Sequence, residues 1–154
     1  MSAVRGHPAR SYRKETIMSE QDNIAVVQQA YDNFKEGNIQ GLLDMLPDDV
    51  TWQLPDIEGV PFAGKRTGRE AVREFFVGVG ANQETLEFAP HEFVAQGDKV
   101  VSLGHYRWRV KSTGQEYSSD FAHVFTVRDG KITGFHEYTD TASAARAYQK
   151  SAAA

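Results

Sequence analysis

The odd positions between 117 and 127 include Tyr117, Phe121, His123, Phe125 and Val127. On a strand, where side chains alternate between faces, that parity sets an imidazole in an apolar row. An imidazole near neutral pH can act as base, acid or hydrogen-bond donor, although a core histidine with its hydrogen bonds satisfied fits the same pattern. Asp140 precedes a stretch of helical character and could cap it. Placed beside His123, the same carboxylate would fix the tautomer of the ring and raise its basicity. Trp52 alternates with Val50 and Leu54, which fits either core packing or a pocket wall; its indole N–H, if buried, needs an acceptor, and Asp140 would serve. Glu137 and Tyr138 fall on opposite faces of the last strand, so one of them at most enters a pocket. Asp120 has the opposite parity from His123 and belongs to the outer face. There is no cysteine, which excludes disulfides and thiolate metal sites. His91, His105 and His123 lack close ligand spacing, so no metal is expected. Gly78 and Gly80 end a helix instead of opening one, so they do not form a phosphate loop.

The elements that must carry these residues are legible from periodicity. Ile24, Val27, Tyr31 and Phe34 recur at helical spacing between candidate caps Ser19 or Asp22 and the stop at Gly37. Asn38 opens a short helix with Ile39, Leu42, Leu43 and Leu46 on one face, ended by Pro47. Asp49 to Leu54 alternates as a strand. A Pro- and Gly-rich loop over 55–64 leads to Thr67 and Glu70, a capping box for a helix bearing Val72, Phe75, Phe76 and Val79 and closed by Gly80. The period then becomes two over Thr85–Ala95, Lys99–Lys111, Gln115–Val127 and Lys131–Thr139, joined by short turns that suit hairpins. Ala142 to Tyr148 returns to helix. Three helices and then an antiparallel meander imply an α+β fold with helices on one side of a coiled sheet, whose hollow face is a natural ligand site.

At 154 residues, with 40% apolar and 25% charged content, the chain fits one globular domain. The net charge is −4 with both signs scattered, and no basic stripe points to nucleic acid or an anionic membrane. Residues 1–17 carry Arg5, Arg10, Arg13 and Lys14 against Glu15, a net of +3 beside −7 for the rest. They hold no apolar run long enough for a signal peptide or a membrane span. An Arg-rich start also fits a transit peptide; the plainer expectation is a disordered extension over 1–20, a domain over 21–150 and a tail over 151–154.

The strings AVVQQAYDNFKEGN, LPDDVTWQLP, PFAGKRTGREAVREFF and HVFTVRDGKITGFHEYTD, in that order, resemble the nuclear transport factor 2-like superfamily, on the branch of ketosteroid isomerases and SnoaL-like polyketide cyclases. The resemblance spans about residues 22 to 148. It implies a cone-shaped barrel of a strongly curved, mainly antiparallel sheet packed on three helices of the N-terminal half and enclosing a pocket. Ketosteroid isomerase uses an Asp base with a Tyr and a protonated Asp as oxyanion hole. Aligned on Gly37, the Tyr falls on Ala30, one place from Tyr31, the base on Leu54, and the protonated Asp on His123. For the related limonene epoxide hydrolases, the C-terminal Asp matches Asp140 and the Tyr matches Trp52, while the Arg and other Asp fall near Gly104 and Tyr106. The two relatives disagree on whether odd or even residues of the last strand face inward, a difference that a bulge would reconcile.

The resulting expectation is an acid/base enzyme without cofactor, acting on a small hydrophobic carbonyl compound in an isomerase- or cyclase-like reaction. His123 and Asp140 would be catalytic, with Tyr31, Trp52, Leu54, Phe62, Phe76, Phe121, Phe125, Glu137 and Tyr138 lining the pocket. A binding or dimerisation module without catalysis, and an epoxide-hydrolase-like enzyme, are the alternatives. His105, Arg107 and Arg109 share one face of their strand and Tyr106 and Trp108 the other; two rich faces imply that both are covered, hence a homodimer through the sheet. A cytoplasmic location is expected, with neither nucleic acid nor membrane as partner.

Overall fold

A computed structural model describes residues 18–150. The expected extension up to residue 17 and the tail over 151–154 lie outside the described residues. The first helix, α1 (Glu20–Lys35), starts at Ser19, whose hydroxyl accepts from the Asp22 N–H while the Asp22 carboxylate accepts from the Ser19 N–H. This capping box satisfies two free backbone donors. Gly37, at φ 76°, turns the chain out of the helix. Asn38 then caps the short α2 (Ile39–Leu43).

Two short strands follow, β1 (Thr51–Gln53) and β2 (Lys65–Thr67), paired antiparallel. The capping box expected at Thr67 and Glu70 is not formed. Thr67 is held in β2 opposite Thr51, and the N-cap of α3 (Arg69–Asn82) is Gly68, which makes no side-chain cap. Gly68 sits at φ 98°, a region that disfavours any residue with a Cβ. Gly80 does not close α3. The helix continues to Asn82, whose side chain donates to the Gly78 carbonyl at 2.7 Å, and the chain passes directly into a strand.

That strand is β3 (Gln83–Gln96), followed by β4 (Lys99–Val110), β5 (Glu116–Arg128) and β6 (Lys131–Tyr138); α4 (Thr141–Tyr148) ends the described chain. The six strands form one open mixed sheet in the order β2-β1-β6-β5-β4-β3, with β1 parallel to β6 and the other pairs antiparallel. Asp129 and Gly130, both at positive φ, make the tight β5–β6 hairpin that their types call for.

Bulges bend the sheet around its inner face. In β3 the register slips at Leu86 and again at His91, beside Pro90, which this edge strand tolerates. Gly104 of β4 lies under that bend: an added Cβ would meet the Ala89 oxygen at 2.6 Å and the Pro90 Cα at 2.8 Å, besides the Phe121 ring. In β6 the extra residue is Thr133, because Val127 pairs with Ile132 while Thr126 pairs with Gly134. Parity therefore reverses within β6, and even Ile132 shares the inner face with odd Phe135 and Glu137. The fully buried aliphatic residues Val27, Leu43, Leu46, Val50, Val72 and Ile132 make the solid part of the core, while aromatic residues surround its hollow part.

Candidate active site

Between the inner face of the sheet and helices α1 and α3 lies a cavity of about 90 Å³, the space open to the centre of a water molecule. Its wall is aromatic on nearly every side. Tyr31 and Phe34 come from α1, Phe75 and Phe76 from α3, and Tyr106, Trp108, Tyr117, Phe125 and Phe135 from the sheet. These are the residues that period three to four on a helix and period two on a strand turn to one side.

One ionisable group pair stands in this wall. His123 is 3% exposed and Glu137 9%. They face each other across the β5–β6 ladder, and His123 Nε2 lies 2.8 Å from Glu137 Oε2. On the other side of the ring, Nδ1 lies 2.7 Å from the Tyr31 hydroxyl. With Glu137 as a carboxylate, which only accepts, Nε2 is the donor; with the imidazole in the matching neutral tautomer, Nδ1 accepts from the Tyr31 hydroxyl. Phe121 stacks on the imidazole at 4.0 Å between centroids, and Phe135 meets it edge-on at 4.8 Å. The ring is thus hydrogen-bonded on both nitrogens and packed against two phenyl rings. Among the described residues nothing hydrogen-bonds the second Glu137 oxygen, Oε1, and Glu137 lines the cavity.

Burial raises the Tyr31 phenol well above its ordinary value. Ser102 pulls it back in part without completing a hydrogen bond, and the Glu137 charge raises it again. Burial and then the Glu137 charge do the same to Tyr106, whose hydroxyl bonds Thr139. At the far wall the Tyr117 and Tyr148 hydroxyls donate to one acceptor, Gln83 Oε1, at 2.9 and 2.6 Å.

Of the residues singled out from sequence, Tyr31, Trp52, Phe62, Phe76, Phe125, Glu137 and His123 line the cavity. Leu54 is buried in the core without reaching the wall, and Phe121 stands behind the His123 ring. Two further placements are corrected. Tyr138 is 53% exposed and points to the outer face, stacked on His136, because strand alternation opposes it to Glu137. Asp140 is exposed and caps α4, accepting from the Ser143 N–H at 3.1 Å and its hydroxyl at 2.7 Å. Those bonds, hydroxyl first, hold its carboxyl below the usual range. It neither orients His123 nor accepts from Trp52. The partner of His123 is Glu137, and β6 ends before Asp140 could turn inward.

Gln83, Phe88, Phe135 and the phenols of Tyr106 and Tyr117 were not assigned to the pocket from sequence. The parity of Tyr106 and Trp108 carried the signal for β4. Gln83 carried none, since it occupies the unmarked junction of α3 and β3. Among the described residues no three His, Asp or Glu side chains converge as metal ligands, and no helix is long and apolar enough to cross a membrane.

A curved open sheet, covered by helices around an aromatic cavity with one buried His–Glu pair, defines a small α+β domain. The chain belongs to the SnoaL-like domain family, whose model matches residues 27–135. Its fold is that of solved nuclear transport factor 2-like proteins. It is 34% identical to one from Burkholderia xenovorans LB400, with a TM-score of 0.79 over 86% of this chain and 100% of that one. A second, from Burkholderia pseudomallei K96243, is 29% identical with a TM-score of 0.75 over 86% of this chain and 99% of that one. TerC, crystallised with polyporic acid, is 30% identical with a TM-score of 0.73 over 82% of this chain and 98% of TerC. No curated protein matches the chain.

Proposed function

We propose that this chain is an acid/base enzyme, working without a cofactor on a small hydrophobic carbonyl compound in an isomerase- or cyclase-like reaction. The observation that carries this reading is the Glu137 carboxylate, which lines an aromatic cavity with Oε2 bonded to His123 and no hydrogen bond to Oε1 among the described residues. In the reaction, Oε1 accepts a proton from a carbon beside the carbonyl. The electron pair of that C–H bond moves into the enolate, and the carboxylic acid returns the proton at a second carbon. His123 positions Glu137 and is itself positioned by Tyr31, since both of its nitrogens are engaged. TerC, 30% identical, was crystallised with polyporic acid, and that likeness supports a small organic ligand for this chain as well.

Glu137→Gln keeps the shape and the acceptor for His123 while removing the base. In deuterated water, the native protein is expected to accelerate exchange of the acidic C–H protons of small aryl ketones, beginning with 2-tetralone, as followed by proton NMR. Loss of a general base typically costs about 10²–10⁴-fold. Exchange no faster than in buffer, or equally fast in Glu137→Gln, would sink the assignment.

We further propose a homodimer through the outer face of the sheet. Val94, Val101, Val124 and His136 are in register across β3, β4, β5 and β6, and Leu103, Ala122 and Tyr138 form the next row. Val94 and Tyr138 are exposed. An apolar band of this kind can pack on itself about a two-fold axis.

A further inference from the structure

The polar hydrogens of the cavity wall can be followed one by one to their acceptors. With the His123 tautomer described above, the Tyr31 hydroxyl donates to Nδ1 and the Nε2 proton goes to Glu137. Tyr106 starts a directed chain: the Ser119 hydroxyl donates to the Asp120 carbonyl and so accepts from Thr139, which leaves the Thr139 oxygen to accept from Tyr106. The hydroxyls of Tyr117 and Tyr148 both end on Gln83 Oε1. The indole nitrogens of Trp52 and Trp108 are sealed in the packing.

One donor is left over. Gln83 is 4% exposed and lines the cavity. Its amide cannot be reversed, because two hydroxyls need an acceptor and the amide oxygen supplies both lone pairs. The NH2 group is thereby turned away from the phenols, and it meets no acceptor among the described residues. Unlike the two indole nitrogens, Nε2 is not sealed in. On a side chain so nearly enclosed, the surface it keeps is within reach of a ligand in the cavity that Gln83 lines. Pockets of this kind take their specificity from a few polar groups set among apolar walls.

Gln83 and Glu137 stand at opposite ends of the inner face. The row of Glu137 and His123 crosses β4 at Ser102, near its start, whereas Gln83 opposes Val110, its last residue. The two ends share one hollow: the Tyr117 phenol, raised first by burial and then by Tyr148, is raised further by the Glu137 charge, and that phenol bonds Gln83. Neither Lys nor Arg lines the cavity, so the acceptor that suits this amide is an uncharged oxygen.

We infer that Gln83 is a specificity-determining residue of the site, its amide N–H donating to an uncharged oxygen at the end of the ligand remote from Glu137. The substrate class narrows to hydrophobic compounds with two oxygen functions, the carbonyl beside the acidic carbon and a second acceptor across the molecule. The inference rests on the cavity being a ligand site, as proposed above, and not on proton abstraction by Glu137.

The test compares 2-naphthaldehyde with 2-vinylnaphthalene, which has the same shape and a terminal CH2 in place of the oxygen. Neither has a C–H beside a carbonyl that Glu137 could ionise. Binding is measured by equilibrium dialysis on the full chain and on Gln83→Met, which keeps the side-chain length, offers the phenols a weak sulfur acceptor and has no donor. No lysine lines the cavity, and imines on surface lysines affect both proteins equally. The variant should bind the aldehyde about fivefold more weakly, one hydrogen bond's worth, and the vinyl compound within about twofold of the native chain. A glutamine that only ties Tyr117 to Tyr148 would change both probes alike. Should the variant fail to fold, the Gln83 side-chain NH2 resonances of the native chain decide: they move downfield with the aldehyde and not with the vinyl compound. Binding of neither probe, the same change or none in both, or unmoved amide protons would overturn the inference. Exchange of ketone C–H protons is a separate measurement, so its failure alone strikes only the proposed chemistry.

Discussion

Because Tyr31 and Glu137 occupy both nitrogens of His123, the imidazole cannot reach a ligand without breaking one of those bonds. Its part is to hold Glu137 in place through the Nε2–Oε2 bond, and in the proposed reaction the chemistry falls to the carboxylate. The same burial governs the phenols around it. Tyr31, Tyr106 and Tyr117 are all raised, chiefly because burial disfavours the phenolate. The folded state therefore binds these protons more tightly than the unfolded chain, where a phenol titrates near about 10. Their contribution to stability is whole below that pH and is lost as pH rises toward the folded values. Alkaline titration should show the absorbance of these tyrosinates rising together with loss of the near-ultraviolet dichroism of the core. Ionisation of all the phenols near pH 10 with the fold intact would contradict this.

At the scale of elements, Asp140 matters to α4 and not to the cavity. Asp140→Ala removes a cap and is expected to cost about 1 kcal/mol of stability, measured by urea unfolding, while C–H exchange is retained. A loss of exchange in a folded Asp140→Ala protein would return that residue to the site. Most elements could be read from sequence because period and punctuation agree with the final contacts: Ser19, Gly37, Asn38 and the Asp129–Gly130 turn act where they stand. Two features could not. Thr67 and Glu70 have the spacing of a capping box, but pairing of β2 with β1 outweighs it, and that pairing is long-range information. The bulge at Thr133 leaves no local mark, since Thr suits either a regular or a bulged strand. This is why Glu137 and Asp140, both compatible with His123 by spacing, could be told apart only in three dimensions. His123 and the aromatic wall were visible because alternation alone determines their side of the sheet.

For the whole molecule, the two faces of one sheet serve different purposes. The inner face surrounds the cavity. The outer face divides into the valine band and a region of ion pairs, with Arg109 bonded to Glu84 and Glu116, Arg107 to Glu116 and His105 to Asp120. Exposed pairs of this kind contribute little to stability, so the proposed dimer depends on the band. Val124→Asp puts a charge at its centre. Sedimentation equilibrium is expected to show two chains for the native protein and one for the variant, with the cavity unchanged because Val124 faces away from it. A native monomer, or a variant that stays dimeric, would count against the proposed interface.

The parallel pairing of β1 with β6 has a kinetic meaning. The meander from β3 to β6 joins neighbours through short turns, whereas β1 meets β6 across about 80 residues of chain. Closing so long a loop carries the larger entropic cost, and topologies rich in such contacts fold slowly. Trp52, one wall of the cavity, rides on that strand. The hollow is therefore completed by a long-range closure, and a chain that has paired only its meander has a sheet but no complete cavity. Recovery of ligand binding during refolding would accordingly time the arrival of β1, a step that backbone dichroism, dominated by the other strands, would hardly register.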